Sequence, residues 1–345
     1  MNEASTRDDE TAINGAALVP LADWSTLRVT GADRATFLHN MCTNDVKGLA
    51  AGSGCEAFFT DVKGKIVAHG FLLVDETSVR IVAAPATAER LMKQLDRYII
   101  REDVALSDES RELVWILLFG KQAGSVLKGV AGEGVGEWPA VWSHRMAHVQ
   151  GSEVQVVACP LPWMGGFLIG CPMDAADAIA DQFVAAGSAV GDAATLERLR
   201  VESKWPLWGV DFDDGNLPQE VSRDAQAISF RKGCYLGQET VARIDALGHV
   251  NKQLVQVLFE GPAAPEVGTE LFSGDQSVGR VTSATPASRW GSPAALAMVR
   301  RGSNATGTAL RWNGGAAVVA APGSLASLQR ASGSLPLEGR VGEGG

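Results

Sequence analysis

The stretch Phe230-Arg231-Lys232-Gly233-Cys234-Tyr235-Leu236-Gly237-Gln238-Glu239 constrains this chain more than any other. It follows an irregular, acidic, proline-containing run, and from Glu239 to Ile244 the pattern reads as the first turns of a helix. Its two glycines permit positive φ or a close approach to a neighbour. The N–H groups that open the helix then face whatever occupies the loop. Around one glycine-hinged turn stand a cation (Lys232), a thiol (Cys234), an aromatic ring (Tyr235), an amide (Gln238) and a carboxylate (Glu239). Five different chemistries on one turn pack poorly and suit a polar ligand. The plainer alternative is a strand–turn–helix corner around a buried cysteine.

A thiol beside a cation and near a helix start is favoured as thiolate. A nucleophilic cysteine enzyme would also need a histidine base. The histidines are His39, His69, His144, His148 and His249, and none sits in a recognisable partner motif. His39, on an otherwise apolar helix, reads as a packing residue, whereas His249 lies only ten residues past Glu239. Cysteine-protease-like catalysis is therefore not expected. The remaining cysteines, Cys42, Cys55, Cys159 and Cys171, sit in apolar or Gly/Ala surroundings and read as small core residues. An odd count of five without a C-x-x-C pair excludes a disulfide framework and a zinc knuckle, and no metal site is expected.

The net charge of −10 argues against a general binder of nucleic acid or anionic membrane. Locally the balance reverses. From Ser222 to Lys252 five cations (Arg223, Arg231, Lys232, Arg243, Lys252) face three acids (Asp224, Glu239, Asp245), which suits a small anionic ligand. Met1 to Thr11 has neither the cationic nor the apolar region of a signal peptide, and the longest apolar runs are too short to span a bilayer. The expectation is a cytoplasmic protein with no membrane partner.

Along the chain, residues 1–14 read as a flexible tail. A strand and turn over Ala16 to Val29 lead into an amphipathic helix begun by Asp33, with Phe37, Leu38 and Met41 at helical spacing and Thr43-Asn44-Asp45 closing it. Strands are expected over Cys55 to Val74 (two, around Asp61-Val62-Lys63-Gly64), Ser78 to Ala83, Leu113 to Phe119, Glu153 to Ala158 and Gly166 to Gly170. Helices are expected over Ala86 to Ile99, Gln122 to Val130, Asp174 to Ala186 and Ala193 to Glu202. Segregated strand and helix units imply α+β layers. The acids Asp211, Asp213, Asp214 and Glu220 fail the EF-hand spacing and read as a solvated loop. Beyond residue 250, five or six short strands divided by glycine turns indicate a small β-barrel or sandwich. The expected domains are 15–250 and 251–322, followed by a disordered Ser/Gly-rich tail at 323–345.

Lys232, Gly233, Cys234, Tyr235, Gly237, Gln238 and Glu239 fill every specified position of Lys-Gly-Cys-Tyr-x-Gly-Gln-Glu. In this the chain resembles the YgfZ-type folate-binding proteins, relatives of the glycine-cleavage T-protein. The resemblance implies an α+β T-protein-like domain with a tetrahydrofolate pocket, followed by a C-terminal β-barrel. By residue chemistry, Gln238 or Glu239 would meet the amide and amine edge of the pterin ring, with Tyr235 packing nearby. Lys232, Arg231 and Arg243 would meet the carboxylates of the glutamate tail.

T-proteins that transfer an aminomethyl group carry a Gly-Gly-x-x-Asp-Asp run. The matching run here, Gly64 to His69, puts Ala68 and His69 at the acidic pair, and Pro162 to Gly166 lacks the glutamate of the family's pterin-binding stretch. Classical glycine cleavage is thus not implied, and whether the chain is an enzyme stays open. The resemblance implies an accessory role in assembling or repairing iron–sulfur clusters of client proteins, with effects on tRNA modification and no direct nucleic-acid contact. Cys234 would be the reactive centre. The alternatives are a tetrahydrofolate-dependent aminomethyltransferase or demethylase and a non-catalytic interaction scaffold.

Overall fold

A computed structural model of the chain describes residues 14–320 apart from 136, 137, 139, 162–164 and 287. The expected tails, Asn14 excepted, lie outside the described residues, as do Pro162, Trp163 and Met164 of the pterin-binding comparison. The chain divides into two compact units, Met1–Asn251 and Lys252–Gly345.

The first unit begins β1 (Ala17–Leu21), β2 (Ser25–Thr30), α1 (Arg34–Met41), β3 (Ser53–Thr60), β4 (Ile66–Val74), β5 (Ser78–Ala83), α2 (Ala88–Asp96) and β6 (Ala105–Asp108). It continues β7 (Leu113–Phe119), α3 (Ala123–Ala131), β8 (His144–Val149), β9 (Ser152–Cys159), β10 (Gly166–Pro172) and α4 (Ala176–Ala185). It ends β11 (Ala189–Val190), α5 (Ala193–Ser203), α6 (Asp224–Ala227) and α7 (Gln238–Leu247). Two sheets form, in the orders β3-β4-β5-β2-β6 and β11-β1-β7-β10-β9-β8.

All nine residues of β4 are buried, so the strand reads as a continuous apolar run covered on both faces. One face, with Ala68, Leu72 and Val74, packs against Phe37, Leu38 and Met41 of α1 and Leu91 and Leu95 of α2. The other, with Phe71 and Leu73, meets Trp115 and Leu117 of β7 and Val157 of β9 among Trp24, Trp142 and Trp205. The far side of the second sheet is covered by α3 and α4 through Leu127, Ile179 and Phe183. The result is a helix–sheet–sheet–helix stack, the α+β class that segregated strands and helices imply.

The one strand and turn expected over Ala16 to Val29 is two strands, β1 and β2, and the short strands β6, β8 and β11 were not apparent in the sequence. β8 carries His144, Arg145 and His148 in six residues, and its weak apolar alternation hides it. α2 is shorter than expected, ending at Asp96, yet Tyr98 and Ile99 beyond its end still pack on the same core. No helix among the described residues is long and apolar enough to cross a membrane.

The second unit is a closed six-stranded barrel of β12 (Lys252–Phe259), β13 (Glu270–Ser273), β14 (Gln276–Thr285), β15 (Ala294–Arg300), β16 (Ala309–Trp312) and β17 (Gly315–Ala320). Val255, Val257, Phe259, Leu271, Val281 and Val319 are among the residues that fill it. β17 follows β16 through the Asn313-Gly314 turn and pairs with β12, which closes the sheet and removes its edges.

Candidate functional site

The signature turn leads into α7, one residue before the expected start. Gly237 occupies the N-cap with φ +83°, and a Cβ there would lie 2.4 Å from the Asp61 carbonyl oxygen and 2.7 Å from Thr60 Oγ1. Gly64, with φ +78°, faces it from the β3–β4 turn, where a Cβ would come within 2.7 Å of Thr240 Cβ. Thr60 Oγ1 donates to the Leu236 carbonyl at 2.5 Å. Two glycine turns from distant parts of the sequence are thus pressed together, at a spacing that side chains would forbid. Gly233 has no such need, since its backbone is not left-handed and a Cβ would find only His39 Nε2, at 3.9 Å.

Lys232 turns inward. Its Nζ donates to the carbonyl oxygens of His39, of Cys42 at 2.7 Å and of Asn44 at 2.8 Å. An ammonium has three N–H bonds, so its donors are fully used on carbonyls at the end of α1. Burial lowers its pKa, and the ring of Tyr235 lies 5.0 Å from the nitrogen. Leu236 N–H adds a bond to Asn40 O at 2.9 Å. The geometry therefore gives Lys232 the task of fastening the turn, and a ligand carboxylate would have to compete with these three bonds.

Cys234 is exposed at the crest of the turn, while Cys42, Cys55, Cys159 and Cys171 are buried. Burial raises the pKa of Cys42, and carries Cys171 to about 11. Arg231, Glu239 and Arg243 are exposed and Gln238 is half-buried. Tyr235 is buried with Phe58, Phe212 and Val241, and that burial pushes its hydroxyl upward. His249 hydrogen-bonds through Nδ1 to Leu247 O at 2.8 Å, which ties it to the end of its own helix. His39 pairs with Asp45 at 3.1 Å, and burial and then Lys232 hold its pKa down.

A second cluster was not foreseen as a site. Glu56 on β3 is fully buried, yet it receives Arg223 Nε on Oε1 at 2.7 Å and Arg223 Nη2 on Oε2. His69 Nε2 lies 2.8 Å from the same Oε1. Burial alone would push Glu56 up, but the Arg223 guanidinium, its hydrogen bonds and His69 outweigh it and bring the pKa down to about 2. Phe58, Phe212 and Phe71 surround the imidazole, with ring centroids 4.7, 5.8 and 6.0 Å away. The signal lay in β3 itself, where a glutamate interrupts Cys55-Glu56-Ala57-Phe58-Phe59, an otherwise apolar run.

The two clusters share a joint at Thr43 and Asn44. Thr43 Oγ1 donates to Ala227 O at 2.6 Å and accepts from Phe58 N–H at 2.9 Å. Asn44 Nδ2 reaches both Glu56 O, at 2.8 Å, and Gln226 O, at 3.0 Å. Near Arg223, burial lowers the pKa of Lys204, and Arg223 lowers it further. Burial and then Asp245 raise that of Asp224 to about 6.

The acidic loop is solvated only in part. Asp213 and Asp214 are exposed, but Asp211 is buried and pairs with Arg200 at 2.8 Å. Glu220 is buried too, accepting from Asn216 Nδ2 at 2.8 Å. The proline-broken backbone leaves N–H groups and side-chain donors that these carboxylates satisfy. No group of three or more histidines, cysteines or carboxylates among the described residues could hold a metal ion.

A layered α+β unit followed by a closed barrel, with a cysteine-bearing turn locked against the β3–β4 hairpin, defines a T-protein-like architecture. The GCVT N-terminal domain matches residues 1–231 and the glycine cleavage T-protein C-terminal barrel domain matches residues 252–321. The chain belongs to the glycine cleavage T-protein family. It is 26% identical over 261 residues to the tRNA-modifying protein YgfZ of Sodalis glossinidius, covering 74% of this chain and 75% of that protein. It is 25% identical over 298 residues to a putative chloroplastic transferase of Arabidopsis thaliana, an alignment spanning 82% of this chain and 66% of the relative. In structure it matches the glycine cleavage system aminomethyltransferase T from Bartonella henselae with a TM-score of 0.80, at 19% identity, over 92% of this chain and 89% of that one.

Proposed function

We propose that this protein binds tetrahydrofolate and acts as an accessory factor in assembling or repairing iron–sulfur clusters of client proteins, with Cys234 as its reactive thiol. The observation that carries the reading is selective exposure: one cysteine of five is offered to solvent, on a turn that Lys232 and two glycines hold in place. A transient cluster ligand or thiol donor needs such presentation, and a buried thiol could not serve. A cluster iron usually takes four ligands, so a cluster passing over Cys234 would draw the others from its client. The naming of relatives as tRNA-modifying proteins supports a downstream effect on tRNA modification. Five free cysteines suit a reducing compartment, and the cytoplasm is the proposed location.

The donor set fits a folate. A pterin needs flat apolar walls with a few placed polar groups, and His69 stands among three phenylalanine rings. The glutamate tail needs accessible cations, and the exposed Arg231 and Arg243 make no hydrogen bond or ion pair among the described residues. Gln238 and Glu239, on the first turn of α7, remain the candidates for the ring's amide and amine edge, with Tyr235 packing behind.

Calorimetric titration of tetrahydrofolate tests the reading. Binding in the micromolar range should survive Cys234→Ser and weaken roughly fivefold or more in the double variant Arg231→Ala/Arg243→Ala. Absence of binding by the wild type would overturn the folate assignment. A second reading, aminomethyl transfer or demethylation, is favoured by one observation: a carboxylate, Glu56, stands beside His69 where the acidic pair is missing. Tetrahydrofolate-dependent release of formaldehyde from methylated amines would establish it.

A further inference from the structure

β6 ends one side of the first sheet and pairs only with β2 among the described residues. Beside it, α2 and the connection from α2 to β6 enclose a groove of about 480 Å³ whose lining includes Met92, Lys93, Asp96, Ile99, Val104 and Leu106. Met92, Ile99, Val104 and Leu106 rest on the core below and stay half-buried, so they give the groove an apolar floor. The next residue after Ile99, Ile100, is 81% exposed, more than any other large hydrophobic residue described. A lone exposed apolar residue is ordinary, but one bordering an apolar groove is a knob next to a hole. The knob is held out by its own loop: Glu102 Oε2 accepts from Ile100 N–H at 2.8 Å and from Arg101 N–H at 2.9 Å. The rim carries both signs of charge. Lys93 and Asp96 stand three residues apart on α2, and neither side chain has a hydrogen bond or ion pair among the described residues.

We propose that this face is an interface with a second copy of the chain, related by a two-fold axis. Ile100 of each copy sits in the groove of the other, and Lys93 of each pairs with Asp96 of the other. A two-fold contact uses one patch twice, so the patch must carry its own complement. This one does, in shape as knob and hole and in charge as cation and anion. A surface made for a foreign partner has no need of both halves. The free edge of β6 lies along the same face, and antiparallel pairing of two such edges is itself two-fold and satisfies backbone groups otherwise left to solvent. Because Glu102 already fixes the loop, little order remains to be imposed on Ile100 when the copies meet. The inference does not depend on the folate or cluster reading.

Sedimentation velocity of the full-length protein from about 1 to about 100 μM is the experiment, with thermal melts alongside to show that each variant is folded. Wild type should pass from the mass of one chain to that of two, with a Kd in the micromolar range. Ile100→Asp removes almost no burial within one chain and should weaken the dimer about tenfold or more. Val267→Asp, at a residue 67% exposed on the barrel, should leave the dimer unchanged. Lys93→Glu and Asp96→Lys set like charges against each other across the axis, and each should weaken the dimer about fivefold. The double variant Lys93→Glu/Asp96→Lys exchanges the two signs and should return to within about twofold of wild type. A wild type that stays monomeric at about 100 μM would overturn the proposal. So would a dimer that Ile100→Asp and the single charge reversals leave intact, since it would be using another face.

Discussion

Glu56 is a buried carboxylate and Asp224 a half-buried one, and their surroundings move them in opposite directions. For Glu56 burial raises the pKa, but Arg223 and His69 win and bring it to about 2. For Asp224 burial dominates, Asp245 adds to it and Lys204 only partly offsets it, giving about 6, and Asp224 Oδ1 has no hydrogen-bond partner. The consequences for stability differ in sign. Glu56 contributes stability that is present above the unfolded carboxylate range near 4.3 and is lost as pH falls toward 2. Asp224 has a raised pKa, so the folded state is favoured below about 4 and that advantage is lost as pH rises through about 6. Glu56→Gln should therefore cost about 3 kcal/mol at pH 7, by leaving Arg223 half-paired in the interior, and flatten the acid limb between pH 5 and 2. Asp224→Asn should stabilise at pH 7 to 8 and converge on wild type near pH 4. Urea midpoints across pH 3 to 8 check both. A Glu56→Gln variant as stable as wild type at pH 7 would show that the ion pair contributes nothing net.

The elements that carry the site are joined by backbone as much as by side chains. The β3–β4 turn meets the start of α7 at Gly64 and Gly237, both with positive φ and both without room for a Cβ. An L side chain at such a backbone conformation costs on the order of 1–3 kcal/mol, and the clash adds to it. Gly237→Ala should accordingly lower stability by about 3 kcal/mol or more and expose the buried thiols to alkylation at lower urea. Gly233→Ala should change the denaturation midpoint little, because a Cβ there meets only a ring nitrogen at ordinary contact distance. If the two variants denature alike, the tight turn-on-turn contact does not hold in solution. This contrast could not be seen from the motif, where both glycines look equally special. The sequence shows that a glycine is present, whereas its φ depends on an opposing turn that is remote along the chain and enters only through tertiary contact.

At the scale of the whole molecule, the features legible beforehand were those with a local period. The layered α+β class followed from segregated strands and helices, and an all-β second unit, barrel or sandwich, from short strands between glycine turns; the choice of barrel came from the family resemblance. Pairs between remote residues were not legible: Arg223 reads as one cation of a basic segment until β3 brings Glu56 to it across 167 positions. The same pairing shapes the molecule's charge. Several cations that look available in the sequence are already committed, as with Arg200 to Asp211 and Glu197, Arg80 to Glu109 and Asp75, and Lys232 to backbone carbonyls. With a net charge of −10, there is little cationic surplus to release counterions from a phosphate backbone. A small anion at Arg231 and Arg243 involves a few contacts and is compatible with that field, but an extended polyanion would meet net repulsion. The expectation is that any effect on tRNA modification is indirect. Fluorescence anisotropy with labelled bulk tRNA at about 0.1 M salt should show no saturable binding below roughly 10 μM protein. Lowering the salt to about 0.02 M should not produce it either, since weaker screening lengthens the reach of the repulsion along with the attraction. A saturable isotherm that weakens steeply with salt would mean instead that a concentrated basic face overrides the global charge, and that the protein meets tRNA itself.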